Sequence, residues 1–68
     1  MDKQLGHNLY LIARRMYRGA PLTWIVYRDN ADGRSTQKLG YGRTELDALY
    51  DARVFDAESV LANATPIN

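Results

Sequence analysis

Apolar residues recur along the chain at more than one spacing, and the spacing predicts the element. From Thr44 onward, Leu46, Leu49, Tyr50, Ala57, Val60, Leu61 and Ala64 return at helical intervals. Thr44-Glu45-Leu46-Asp47 opens this run like a capping box with Asp in the Glu position, and the predicted helix covers residues 45–63, stopping ahead of Pro66. Leu22-Thr23-Trp24-Ile25-Val26-Tyr27-Arg28 is rich in β-branched and aromatic types and predicts a strand. Asn30-Ala31-Asp32-Gly33 then supplies a hairpin turn, and Arg34 to Tyr41 is the returning strand, polar enough to lie at an edge. Gly40-Tyr41-Gly42 reads as a loop into the helix.

Residues 5–18 fit two templates. Leu5, Leu9, Ile12 and Met16 suit a helix capped by Gly19, with Pro21 beyond, while Leu9-Tyr10-Leu11-Ile12 ahead of Gly19-Ala20-Pro21 suits a strand turning into the Trp24 strand. On the strand reading the fold class is α+β: an antiparallel three-stranded sheet packed against one C-terminal helix, β-β-β-α, with one sheet face bare. Strand alternation then sends Leu22, Trp24 and Val26 toward the helix, with Trp24 in the core. Thr23, Ile25 and Tyr27 face outward, joined by Tyr10, Ile12, Arg14, Met16 and Arg18.

On the predicted helix, Phe55 falls about 180° from the apolar direction and is expected to be exposed. It then anchors a partner, packs in a second copy of the chain, or marks a helix break near Val54 that turns it inward.

Length adds that there is one domain, residues 1–68, with loose termini at 1–8 and 64–68. So small a core favours self-association, with a homodimer as the expected state. With no cysteine and a single histidine, His7, neither disulfides nor a metal site are expected. The chain has no long apolar run and opens Met1-Asp2-Lys3-Gln4, so the expectation is a cytoplasmic protein without a membrane partner. Nothing sets a nucleophile beside a base, so neither enzymatic activity nor a cofactor is expected.

Charge changes the picture more than composition does. The net charge is only +1, yet residues 1–43 set eight Lys or Arg against Asp2, Asp29 and Asp32, giving +5. Residues 44–68 set Arg53 against Glu45, Asp47, Asp51, Asp56 and Glu58, giving −4. Arg14, Arg15, Arg18, Arg28, Arg34 and Lys38, with Tyr10, Tyr17 and Tyr27 among them, suit a basic sheet surface that meets phosphates with cations and bases with aromatic rings. Asp47, Asp51 and Glu58 form an acidic stripe on the helix, whose repulsion is offset by the sheet arginines or by a basic partner.

Trp24-Ile25-Val26-Tyr27-Arg28, the Asp32-Gly33 turn, Gln37-Lys38-Leu39-Gly40 and Thr44-Glu45-Leu46-Asp47-Ala48-Leu49 together resemble the arm-binding N-terminal domains of phage-type tyrosine integrases and the related AP2-like domains. The resemblance implies a three-stranded sheet on one helix, with DNA contacted from the sheet. In size and style the chain also resembles small accessory and host-inhibiting proteins of phages.

Two functions follow. The first is a non-enzymatic protein-interaction module of phage or mobile-element type that inhibits a host protein handling nucleic acid. It would dock through Ile12, Met16, Ile25, Tyr27, Asp47, Asp51, Phe55 and Glu58 on a host protein or a second copy. The alternative is a DNA-binding module using the basic sheet through Arg14, Arg18, Tyr27, Arg34 and Lys38.

Overall fold

Two alternating segments pair at the centre of the molecule. Residues Leu9–Arg14 and Thr23–Asp29 run antiparallel with Leu11 opposite Val26, Ile12 opposite Ile25 and Ala13 opposite Trp24. Directly opposed residues share a face, so Leu9, Leu11, Ala13, Trp24 and Val26 point one way and Tyr10, Ile12, Arg14, Thr23, Ile25 and Tyr27 the other. The computed structural model describes residues 2–67. In chain order the elements are β1 (Lys3–Gly6), β2 (Leu9–Arg14), β3 (Thr23–Asp29), β4 (Thr36–Gly42), α1 (Glu45–Asp51), α2 (Ala57–Ala62) and β5 (Thr65–Pro66). The strands form one antiparallel sheet in the order β4-β3-β2-β1-β5. Both helices cover the Leu11 and Val26 face, where Leu11, Val26 and Leu49 are fully buried with Ala48 and Ala57 beside them.

The α+β class holds, with five strands and two helices in place of three and one. Residues 9–14 are strand, not helix, because both edges of β2 are paired, to β1 and to β3, and its Leu9 and Leu11 side packs on the core. Much of the chain expected to hang loose at the termini is bonded into the sheet; Met1 and Asn68 lie outside the described residues. β1 was hidden because Leu5 is the one large apolar residue in Lys3-Gln4-Leu5-Gly6. Lys3 stands opposite Leu11 on the helix side, and its Nζ lies 2.8 Å from Glu45 Oε2 at the start of α1. Asn8, in the turn between β1 and β2, takes a left-handed φ of 62°, which Asn tolerates better than most residues. β5 is two residues long and ends in Pro66, which lacks an N–H to donate and suits an edge.

The hairpin turn forms where the sequence put it. Asp32 Oδ1 accepts from the Arg34 and Ser35 N–H groups, and these bonds hold its carboxyl below the ordinary range. Arg34 is thereby part of the turn, and the strand begins at Thr36. Gly40-Tyr41-Gly42 is the end of β4, not a loop. The two glycines let the α1 region lie directly on the strand: a Cβ on Gly40 would come within 2.7 Å of Ala52 Cα, and one on Gly42 within 2.6 Å of Asp47 Cβ. Leu22 precedes β3 and is exposed, and Trp24 packs against the core from its margin.

Thr44 caps α1, its Oγ1 accepting from Asp47 N–H at 3.1 Å. The helix then stops short of residue 63. Arg53 N–H donates to Tyr50 O at 3.1 Å and Val54 N–H to Leu49 O at 3.0 Å, the two bonds of a Schellman stop. Arg53 sits at φ 58° and Asp56, ahead of α2, at φ 54°, both left-handed. Val54 turns back onto the core, while Phe55 between the two strained residues stays 93% exposed. The helix therefore breaks near Val54, yet Phe55 does not turn inward. Tyr50, placed by periodicity on the apolar side, is exposed, and its hydroxyl donates to Glu58 Oε1 at 3.3 Å.

Candidate functional site

With both helices on one face of the sheet, the side chains of the other face have no covering layer among the described residues. Its rows are Tyr10, Ile12 and Arg14 on β2, Thr23, Ile25, Tyr27 and Asp29 on β3, and Thr36, Lys38 and Tyr41 on β4. The outward position of Tyr41 depends on a bulge at Leu39. Val26 stands opposite Gly40 but Tyr27 stands opposite Lys38, and Leu39, the extra residue between them, packs against the core.

Two hollows lie on this face, with Arg14 common to both. In one, of about 520 Å³, Arg14, Lys38 and Arg43 surround Ile25, Met16 and Tyr41, and no carboxylate is in the lining. The Lys38 ammonium lies 5.9 Å from the centre of the Tyr41 ring, a cation–π distance. The other, of about 490 Å³, is lined by Tyr10, Ile12, Tyr27 and Ile67 together with Asp2 and Asp29. Here the Tyr10 hydroxyl donates to Asp29 Oδ2 at 3.1 Å. That bond, reinforced by the Asp29 charge, makes the phenol hold its proton beyond the ordinary tyrosine range. Asp2 Oδ1 accepts from Ala13 N–H at 3.1 Å, and Asp2 Oδ2 lies 3.7 Å from Arg14 Nη1. The two hollows differ in charge: Lys38 and Arg43 line the first without a carboxylate, Asp2 and Asp29 line the second with two tyrosines, and Arg14 is shared.

Of the residues proposed for nucleic acid, Arg14, Tyr27 and Lys38 come together on this face. Arg18 lies in the loop between β2 and β3, and Arg34 sits at the β3–β4 hairpin tip, at the opposite end of the sheet from Arg14. Arg28 belongs to the helix-side row and donates to Gln37 Oε1, while Arg15 donates to Ala20 O. Of the residues proposed for a protein interface, Ile12 and Ile25 lie on the bare face, but Ile25 is only 7% exposed. Met16, in the loop after β2, is 84% exposed.

Asp47, Asp51, Phe55 and Glu58 belong to the helical layer, on the other side of the sheet. Among the described residues the ion pairs are Lys3–Glu45 and Arg14–Asp2, so the sheet arginines do not neutralise the acidic stripe. The sheet separates them. Asp51 Oδ2 instead accepts from Tyr41 N–H at 2.9 Å, closing part of the β4 edge, and Glu58 accepts from Tyr50.

Comparison with family models, curated proteins and solved structures finds no match. Among the described residues no three His, Cys, Asp or Glu come within reach of one metal ion, and no helix is long and apolar enough to cross a membrane. Sequence reasoning missed Arg43, Tyr41, Asp2 and Asp29. Asp29 was recoverable, since it continues the outward parity of Thr23, Ile25 and Tyr27. Tyr41 was not, because the bulge resets the parity of β4 without a local signal.

Proposed function

We propose that this chain is a small non-enzymatic binding module whose uncovered sheet face holds nucleic acid. The observation that carries the reading is the convergence of Arg14, Lys38 and Arg43 on one hollow with no carboxylate in its lining. Lys38 and Arg43 make no ion pair among the described residues, and Arg14 has only the 3.7 Å ionic contact with Asp2; such cations attract phosphate and release its counterions on contact. Ile25, at 7% exposure, also adds little apolar surface here, which weighs against an apolar docking patch. Contact from the sheet is what the resemblance to arm-binding domains implied.

The test is the salt dependence of binding to a labelled oligonucleotide. Three phosphate contacts correspond to an affinity loss of roughly 20- to 40-fold between about 50 and 200 mM salt. Arg14→Ala, Lys38→Ala and Arg43→Ala should each lower the slope by about one contact, while Arg34→Ala should leave it unchanged. Absence of binding to any strand or duplex at low salt contradicts the reading.

A second reading, a protein-interaction module, is favoured by Phe55, which is 93% exposed between two left-handed residues. An exposed aromatic with Asp56 and Glu58 close behind it in the sequence suits a basic partner with an apolar pocket, including a host protein whose own ligand is nucleic acid. The same knob would serve a homodimer.

A further inference from the structure

We infer that the nucleic acid held on the uncovered face is single-stranded, with bases laid over Tyr10 and Tyr27 and the phosphate chain following Arg14, Lys38 and Arg43. The inference rests on the nucleic-acid reading above and adds the strandedness of the ligand. Its first support is the polarity of the face. A groove of duplex DNA is bordered by two phosphate rows, so a sheet pressed into it meets negative charge on both sides. On this face Lys38 and Arg43 line one hollow, without a carboxylate, while Asp2 and Asp29 line the other and would stand against the second row. A single strand has one backbone and one edge of bases, and that asymmetry matches the face.

The second support is the aromatic pair. Tyr10 and Tyr27 are directly opposed on adjacent central strands, with Tyr41 on the neighbouring strand. Unstacked bases lie on such rings, whereas the bases of a duplex are already stacked on one another. The third is the acceptor beside the rings. Asp29 takes one bond from Tyr10 at 3.1 Å, and a carboxylate has about four lone-pair sites, so it retains capacity for the exocyclic amino group of a cytosine or adenine. The two hollows, about 520 and 490 Å³, fall in the usual range for small-ligand clefts of about 300–1,000 Å³. Each takes one nucleotide unit, with Arg14 between them.

The experiment is fluorescence anisotropy at about 50 mM salt, comparing a mixed-sequence single strand of about 12 nucleotides with the duplex of the same sequence. The single strand should bind at least roughly tenfold tighter, and Tyr27→Leu should weaken it by about tenfold while leaving the salt slope unchanged, because stacking moves no counterions. Tyr41→Leu, at an exposed edge position, serves as a second variant should Tyr27→Leu unfold, and thermal melts establish that the variants are folded. Equal or tighter binding of the duplex, or tyrosine variants indistinguishable from the parent, overturns the inference while the nucleic-acid reading stands. Failure to bind either form overturns both.

Discussion

Arg53 occupies the place after a helix C-cap where glycine is the usual residue, and it does so at φ 58° with both Schellman bonds made. A Cβ in the left-handed region costs about 1–2 kcal/mol, part of which glycine returns through its greater freedom in the unfolded chain. Arg53→Gly should therefore raise stability by about 1 kcal/mol in urea denaturation, with an unchanged m-value; a loss of stability would mean that the arginine side chain holds something beyond the stop. This residue also explains why two helices were read as one. The sequence carries no glycine at the break, and the periodicity of Leu46, Leu49, Val60 and Leu61 continues across it. The sites at which parity could be followed without interruption, Tyr10, Ile12, Arg14, Ile25 and Tyr27, were legible, whereas Tyr41 lay behind the Leu39 bulge.

At the level of elements, the central strands were readable because β-branched and aromatic residues run unbroken from Thr23 to Tyr27 and Leu9-Tyr10-Leu11-Ile12 is a short apolar run ahead of a turn. β1 and β5 were not, since four and two residues are too few to show a period and depend on pairing for their existence. The α1 helix owes its position to Gly40 and Gly42, which admit it to contact with the strand backbone. The break between α1 and α2 separates two roles on neighbouring stretches of chain. Leu49 is fully buried and Phe55 almost fully exposed. Truncation should reflect this: Leu49→Ala should cost about 2–5 kcal/mol and Phe55→Ala less than about 0.5 kcal/mol in the same denaturation assay. If Phe55→Ala lowers stability at high protein concentration but not at low, Phe55 is buried between copies of the chain.

Across the whole molecule, the division of charge along the sequence becomes a division across the sheet. The basic first part builds most of the strands, and the acidic remainder builds the helices laid over one face of them. Long-range attraction between the halves remains, but direct pairing between the sheet arginines and Asp47, Asp51 or Glu58 is absent among the described residues. The charge asymmetry was visible in the sequence. Its consequence was not, because it depends on which face each arginine takes, and Arg15, Arg18, Arg28 and Arg34 all lie off the bare face. What remains there is Arg14, Lys38 and Arg43 around one hollow and Tyr10, Tyr27, Asp29 and Asp2 around the other, with Arg14 shared between them. The most direct test is a titration of the isotopically labelled protein with a single-stranded oligonucleotide, followed residue by residue through its amide resonances. The expected result is that shifts concentrate at Tyr10, Arg14, Ile25, Tyr27, Lys38, Tyr41 and Arg43, with the amides of α2 and Phe55 unmoved. Shifts confined to α1, α2 and Phe55, or no shifts at all, would contradict it.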